Sequence, residues 1–115
     1  MKKMKLIDKT RLEFYIPFIP VPEYYEVLDR LIIFFCKWFG GCTIIDKIDG
    51  FFKEKNKKEI WPDIINMIVV DVPNDISIST NIDLCTTISE AINDKFGQKV
   101  TYFSIGGVIF PDNED

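Results

Sequence analysis

The chain has 115 residues, of which 47% are hydrophobic and 14% aromatic, and its formal net charge is −4. This length supports one hydrophobic core, so we expect a single domain over residues 1–115, with a flexible N terminus at 1–9 and an acidic tail at 111–115. The negative charge disfavours a dedicated nucleic-acid-binding protein, whose affinity would rest mainly on neutralising phosphates.

Membrane insertion and secretion are not indicated by the sequence. The longest apolar run, Leu31 to Cys36, is far shorter than the roughly 20 residues that span a bilayer. The N terminus has lysines but no apolar segment of signal-peptide length behind them. We therefore expect a cytoplasmic protein with no membrane partner.

The first predicted elements are a strand and a helix. Residues 11–16 alternate polar and apolar side chains, and the prolines that follow cannot continue a strand. Between Glu23 and Phe39 the apolar residues recur at the spacing of one helix face. These residues are Tyr24, Leu28, Leu31, Phe35 and Trp38. Pro22 suits the first helical position, and Gly40 or Gly41 suits the left-handed C-terminal cap.

Two further strands are predicted in the middle of the chain. Cys42 to Ile48 forms the second strand, and the pair Asp49-Gly50 is typical of a turn. The lysine-rich segment from Phe51 to Glu59 is therefore expected to be an exposed hairpin loop. Ile64 to Val72 is nearly continuous in apolar residues, which is typical of a strand covered on both faces.

The last predicted elements are a helix and a strand. Thr80 and Asp83 resemble a capping box at the start of the helix. The apolar face of this helix comprises Cys85, Ile88, Ile92 and Phe96. Gly97 is the expected cap, residues 99–105 form the last strand, and Gly106-Gly107 is expected to be a bulge or a kink.

The order β-α-β-β-α-β predicts an α+β domain of the ferredoxin-like type. In that fold a four-stranded antiparallel sheet carries both helices on one face, with the first and third strands in the centre. The alternative is a mixed sheet with another strand order.

The sheet face without helices is expected to be apolar. It carries one of two alternating sets. The first is Ile65, Met67 and Val69, and the second is Ile64, Ile68 and Val70. Exposed apolar surface often marks an interface, so we predict a homodimer or higher oligomer whose interface includes Ile65, Met67, Val69 and Tyr15. Covering of this face by the Phe51-Phe52 loop or by the C-terminal tail is the alternative.

No catalytic residue, metal ligand or cofactor site is predicted. The chain contains no histidine, which removes the most common acid-base group and metal ligand. The three cysteines form no C-x-x-C pair and are set among apolar residues, as buried thiols are. The acidic residues near the central hairpin are explained by a preference for turns. They are Asp46, Asp49, Asp63 and Asp71.

The two Phe-Gly joints and the hairpin loop are the predicted ligand-binding regions. The candidates are Phe39, Gly40, Gly41, Thr43, Gly50, Phe51, Phe52, Trp61 and Gln98. The ligand is expected to be an unidentified small molecule or protein. Four lysines between 53 and 58 lie beside the aromatic residues of the loop, but Glu54 and Glu59 dilute their charge, which favours a solvated loop over a nucleic-acid site.

The spacing of Phe39-Gly40-Gly41-Cys42-Thr43, of an aromatic residue after Gly50, and of Phe96-Gly97-Gln98 resembles a known pattern. It is similar to small bacterial and phage-borne domains of unknown function with F-G-G-x-T, G-x-W and F-x-Q motifs. The resemblance implies a compact α+β domain and no catalytic residue.

These observations favour a non-enzymatic binding or regulatory module that acts as a homo-oligomer. One form of this hypothesis is a phage or mobile-element protein that inhibits or sequesters a host component. The alternative is a nucleic-acid-directed protein, such as a metal-dependent nuclease of the kind associated with CRISPR loci, in which the dispersed carboxylates converge on a metal ion.

Overall fold

The computed structural model describes residues 9–53, 55–97 and 102–110. Its elements, in chain order, are β1 (Lys9–Pro17), α1 (Pro22–Phe39), β2 (Thr43–Lys53), β3 (Ile60–Pro73), α2 (Ile78–Phe96), β4 (Tyr102–Ile105) and β5 (Val108–Phe110). The acidic tail, Gln98 and the predicted flexible N terminus up to residue 8 lie outside the described residues. Neither helix in the described part is long and apolar enough to cross a membrane.

The strands form one sheet in the order β2-β3-β1-β4-β5, and each pair of neighbours is antiparallel. The predicted α+β fold, with four antiparallel strands and with the first and third strands central, is confirmed. The sheet also has a fifth strand at its edge. This strand arises at Gly106-Gly107, where a turn replaces the expected bulge or kink. Both glycines have positive φ angles, 57° and 88°, as a two-residue hairpin turn of this hand requires.

The core lies between the helices and one face of the sheet. On that face β1 contributes Leu12, Phe14 and Ile16, and β3 contributes Ile68, Val70 and Val72. The helices cover these side chains with Tyr24, Leu28, Phe35, Cys85 and Ile92. Each of these residues is almost fully buried, so this face, called the helix-covered face below, supplies most of the hydrophobic free energy of folding.

Helix α1 begins and ends where the sequence predicts. Pro22 occupies its first turn, and Gly40 has a φ of 86° and donates its backbone N–H to the Cys36 carbonyl over 3.0 Å. Trp38, in contrast, is 65% exposed, so its predicted place on the buried face is wrong. Tyr24, Leu31 and Trp38 repeat every seven residues, and such a stripe drifts by about 20° per heptad on a straight α-helix. Two heptads rotate Trp38 away from the sheet.

The N terminus of α2 also differs from its prediction. The helix begins at Ile78, and its N-cap is Ser77, whose hydroxyl accepts a hydrogen bond from the Thr80 backbone N–H over 3.2 Å. Thr80 is therefore inside the first turn rather than at the cap. The predicted cap at Gly97 is confirmed by a φ of 65°.

The β2–β3 hairpin is longer than predicted. Asp49 and Gly50 lie within β2 rather than in a turn, and they pair with Ile64 and Asp63. Residues 51–53 continue β2 instead of beginning a loop. The extension is possible because β3 begins at Ile60, before its predicted start at Ile64. Its first residues therefore form backbone pairs with residues 51–53 of β2.

The other face of the sheet carries no helix and is called the open face below. Because side chains alternate along a strand and paired residues share a face, the odd-numbered residues of β1 and β3 lie on it. It contains Tyr15, Thr43, Ile45, Ile65, Met67 and Val69. Of the two sets that the sequence left open, Ile65, Met67 and Val69 therefore face away from the helices.

Candidate functional site

The predicted ligand-binding residues lie at two separate places. Phe39, Gly40, Gly41 and Thr43 surround the junction of α1 with β2, where Thr43 pairs with Val69. Gly50, Phe51, Phe52 and Trp61 lie toward the other end of the hairpin, where Gly50 pairs with Asp63. Residues 63 and 69 of one strand are separated by about 20 Å. A single groove does not unite the two groups.

The first place is explained by local structure. Gly40 caps α1, and Phe39 packs against Phe34 and Phe35 with ring centroids 6.5 Å and 6.4 Å apart. Nearby, burial and then the neighbouring Cys36 thiol raise the pKa of Cys42. A raised pKa keeps the thiol protonated, which opposes a role for Cys42 as a nucleophile.

A cleft opens at the second place. Its volume is about 430 Å³, and its lining residues are Phe18, Asp49, Gly50, Phe51, Pro62, Asp63 and Ile64. Gly50 and Phe51 belong to the predicted set, whereas Trp61 is not part of the lining. The cleft combines two aromatic residues with two carboxylates, and Phe51 is 72% exposed at its rim. Such a surface suits a ligand that has a flat ring and a positive charge.

Gly50 lies in β2 beside the cleft. A β-carbon at this position would lie 2.6 Å from Cδ1 of Ile65, so the end of the Ile65 side chain on the open face would have to shift. The glycine therefore leaves room for the Ile65 side chain. The sequence analysis had explained the glycine at position 50 by a predicted turn instead.

An aromatic and polar cluster lies behind the cleft. The Phe18 ring contacts the Tyr24 ring with centroids 5.5 Å apart, and Tyr24 contacts Phe96 at 5.8 Å. The Tyr24 hydroxyl accepts a hydrogen bond from Nδ2 of Asn66 over 2.9 Å and donates to the Ile16 carbonyl over 3.4 Å. The Nζ of Lys47 lies 5.6 Å from the Phe18 ring centroid. These contacts fix Phe18, which joins the cluster to the cleft.

The pKa of Tyr24 is raised to about 12. Burial is the largest cause, the hydrogen bond from Asn66 acts in the opposite direction, and nearby Asp46 and Asp63 are among the smaller causes that raise it. The Tyr24 hydroxyl is therefore protonated at neutral pH and serves as a hydrogen-bond donor. Two carboxylates, Asp49 and Asp63, line the neighbouring cleft, and the Lys47 ammonium lies against the Phe18 ring at its side.

The dispersed carboxylates do not converge on a metal ion. Asp71 lies toward the opposite end of β3 and pairs with Arg11, with Nε and Oδ1 3.0 Å apart. Among the described residues, no group of three or more cysteine or acidic side chains is placed to bind a metal. A second depression, of about 370 Å³, is lined by Lys9, Pro73, Asn74 and Asp75 and offers no aromatic surface.

Sequence reasoning missed Phe18, Tyr24 and Asn66 as members of one cluster. The sequence pattern places Tyr24 only on the apolar helix face. It gives no signal for Phe18, which lies between two prolines. Asn66 carried the clearest signal, because a polar residue interrupts an otherwise apolar strand and is 0% exposed. A buried amide requires hydrogen-bond partners, and these are here the Tyr24 hydroxyl and the Lys47 backbone N–H.

No protein-family model matches the chain, and no curated protein matches its sequence. The fold, however, matches two solved structures of a phage SAM lyase. The first, a complex with S-methyl-5′-thioadenosine, has a TM-score of 0.68 at 11% identity, covering 98% of this chain and 97% of that chain. The second, in the apo state, has a TM-score of 0.64 at 9% identity, covering 99% and 98%.

This similarity corrects the functional prediction. The expectation of a non-enzymatic binding module is contradicted, because the fold matched from end to end is that of an enzyme. The preference for a non-enzymatic role rested on the missing histidine and on the lack of a catalytic motif. Neither observation excludes an enzyme whose chemistry needs no proton transfer from the protein.

Proposed function

We propose that this protein is a lyase that acts on S-adenosylmethionine and releases S-methyl-5′-thioadenosine. The observation that carries the proposal is the match of the whole chain to the phage SAM lyase fold, with coverage of 98% and 97%. The chemistry of the cleft supports it independently. A phage source and a cytoplasmic location are part of the same proposal.

The cleft provides groups that complement this substrate. S-adenosylmethionine has an adenine ring, a ribose diol and a sulfonium cation. Phe18 and Phe51 offer aromatic surfaces for the ring or for the cation. Asp49 and Asp63 offer carboxylate oxygens, which accept hydrogen bonds from hydroxyl groups and attract positive charge.

The reaction requires little acid-base chemistry. In the proposed step, the carboxylate of the methionine portion attacks its own Cγ, and a carbon–oxygen bond forms as the carbon–sulfur bond breaks. The electron pair of the broken bond goes to sulfur, which leaves as a neutral thioether. The other product is a lactone that retains the ammonium group. No proton is transferred, so the protein needs neither a histidine nor another general base.

The protein would therefore act by binding and orientation. Attack at Cγ requires the carboxylate to lie in line with the carbon–sulfur bond, and holding that geometry lowers the entropic part of the barrier. The negative charge of Asp49 and Asp63 favours the cationic substrate over the neutral thioether product. Release of the thioether is then favoured by the same electrostatics that favour substrate binding.

The direct test is an assay for S-methyl-5′-thioadenosine after incubation of the purified protein with S-adenosylmethionine. The wild type is expected to form the product in a protein-dependent manner. Asp49→Asn removes one cleft charge with little change in shape, and we expect it to raise KM about tenfold. Product can be measured by chromatography and mass spectrometry.

The matched control is Asp29→Asn, which makes the same change at an exposed position of α1. This variant is expected to keep the wild-type KM. If the wild type forms no S-methyl-5′-thioadenosine and does not bind S-adenosylmethionine, the proposed function is wrong. If both aspartate variants behave alike, the placement of the substrate in this cleft is wrong.

We also propose that the protein self-associates through the open face. Ile65, Met67 and Val69 form an apolar row along β3, and Ile45 and Tyr15 extend it onto both neighbouring strands. Their side chains remain half-buried or exposed, with Ile45 at 42%. Contiguous apolar surface of this kind supports association between copies of a chain.

A further inference from the structure

A single extra residue in β2 determines on which face of the sheet Asp49 and Phe51 lie. Ile45 pairs with Met67, but Ile48 pairs with Ile65, so β2 uses three steps where β3 uses two. This is a β-bulge, in which one residue is left without a partner opposite it. Lys47 lies in the bulge with a φ of 50°, a backbone conformation that side chains other than glycine rarely adopt.

The bulge exchanges the two faces of the second half of β2. With the bulge, Asp49 lies opposite Ile64 and Phe51 lies opposite Pro62, on the side of the sheet that also carries Asn66. If the pairing of Ile45 continued without the extra residue, Asp49 would instead lie opposite Asp63, on the open face. A shift of one residue moves every following side chain to the other face.

Asn66 holds the bulge in place through its side chain. Its Oδ1 accepts a hydrogen bond from the Lys47 backbone N–H over 2.8 Å, and its Nδ2 donates to the Tyr24 hydroxyl over 2.9 Å. Asn66 is 0% exposed and Tyr24 is 1% exposed. The bond to Lys47 therefore satisfies a backbone N–H that the bulge removes from the β2–β3 ladder, and the bond to Tyr24 fixes the orientation of the amide.

We propose that Asn66 is a positioning residue that places Asp49 and Phe51 in the substrate cleft by stabilising the β2 bulge. The inference rests on the proposed function for its catalytic consequence. An asparagine is required because one side chain must accept from a backbone N–H and donate to a hydroxyl at the same time. Leucine has a similar volume and can do neither.

The experiment compares Asn66→Leu with Ile68→Val. Ile68 is a buried residue of the same strand, and its side chain forms no hydrogen bonds. Amide hydrogen exchange of Lys47 is followed by NMR in both variants and in the wild type. We expect the Lys47 amide to be protected in the wild type and in Ile68→Val. In Asn66→Leu its exchange should be at least about tenfold faster, since one hydrogen bond is lost.

The catalytic measurement uses the same proteins and S-adenosylmethionine. We expect kcat/KM to fall about tenfold or more in Asn66→Leu, mainly through KM, and to change less than about threefold in Ile68→Val. The second variant Asn66→Leu/Lys47→Gly tests the bulge itself. Glycine adopts a positive φ without strain, so this double variant should recover part of kcat/KM, while the amide at position 47 still lacks its acceptor and should exchange as fast as in Asn66→Leu.

The outcomes separate the two proposals. A Lys47 amide that exchanges freely in the wild type would contradict the role of Asn66, and this measurement needs no variant to fold. The role is also contradicted if glycine at 47 recovers nothing, because loss of core packing alone would not respond to that substitution. If the Lys47 amide is protected in the wild type and exchanges faster in Asn66→Leu while no S-methyl-5′-thioadenosine forms, the bulge is held by Asn66 and the proposed function is wrong.

Discussion

The helix-covered face and the open face of the sheet are formed by the same strands, yet they differ in how their polar side chains are hydrogen-bonded and how far these are exposed to water. On the helix-covered face the polar side chains of Tyr24 and Asn66 are buried and joined in one hydrogen-bond network. On the open face Arg11 and Asp71 form an ion pair whose side chains are 59% and 46% exposed. Burial favours pairing of Tyr24 with Asn66 on one face, while the Arg11–Asp71 pair on the other face remains in contact with water.

This difference shows why the cleft is found where the two faces exchange. The bulge at Lys47 lies at the point where β2 extends beyond the buried core, and it brings Asp49 to the side that carries Asn66. A rigid network therefore lies directly beside an open, charged cleft. Functional groups are often placed in this way, on a rigid element at the edge of a core.

The largest expected effect comes from breaking the core of the helix-covered face. Phe35 is 0% exposed and its ring centroid lies 5.6 Å from that of Phe14. Phe35→Ala should lower the free energy of unfolding by about 3–5 kcal/mol, because it removes buried area and leaves a cavity. Urea denaturation measures the change. Trp38→Ala, on the same helix but 65% exposed, is the control and should change stability by less than about 1 kcal/mol.

An intermediate effect is expected on the open face. Met67→Lys places a charge in the centre of the proposed interface, so it should reduce the oligomer to single chains while leaving the fold intact. Light scattering measures the mass. Ile33→Lys makes a similar change at a 66% exposed position of α1 and should leave the mass unchanged. A wild type that is monomeric at micromolar concentration would contradict self-association.

The smallest effect is expected at the rim of the open face. Arg11 holds the pKa of Asp71 below its ordinary value through a side-chain hydrogen bond, the largest cause, and through its charge. The resulting stabilisation is present above the unfolded-state pKa of about 4 and is lost as the pH falls through the lower folded-state pKa. Arg11→Gln should therefore lower the melting temperature slightly at pH 7 and not at pH 2. Equal changes at both pH values would contradict this interpretation.

The sequence predicted the fold well because its main signals are local. The glycine caps at Gly40 and Gly97 follow from backbone sterics, and the core face of α1 follows from helical periodicity through Phe35. The predicted buried face of α1 was wrong only at Trp38, because a seven-residue repeat rotates slowly around a straight helix and the rotation accumulates over two repeats. The hairpin was predicted too short because the turn signal of Asp49-Gly50 depends on context, and pairing with β3 overrides it.

The candidate site was predicted only in part. Gly50 and Phe51 were identified, but the cleft also needs Phe18, which lies in a distant part of the sequence. The functional prediction failed for a chemical reason. It treated the absence of histidine as an argument against catalysis, although the proposed expulsion of a thioether from a sulfonium ion transfers no proton. The fold comparison, rather than a motif, overturned it.

The sequence by itself determined the order of elements, the helix ends and the apolar character of both sheet faces. These properties depend on residues that are close in the chain, where propensity and periodicity act directly. Only the tertiary structure decided the β2 bulge, the fifth strand and the meeting of Phe18 with Asp49 and Phe51 at one cleft. Each of these depends on pairing between distant segments, and a shift of one residue in that pairing reverses which side chains face the cleft.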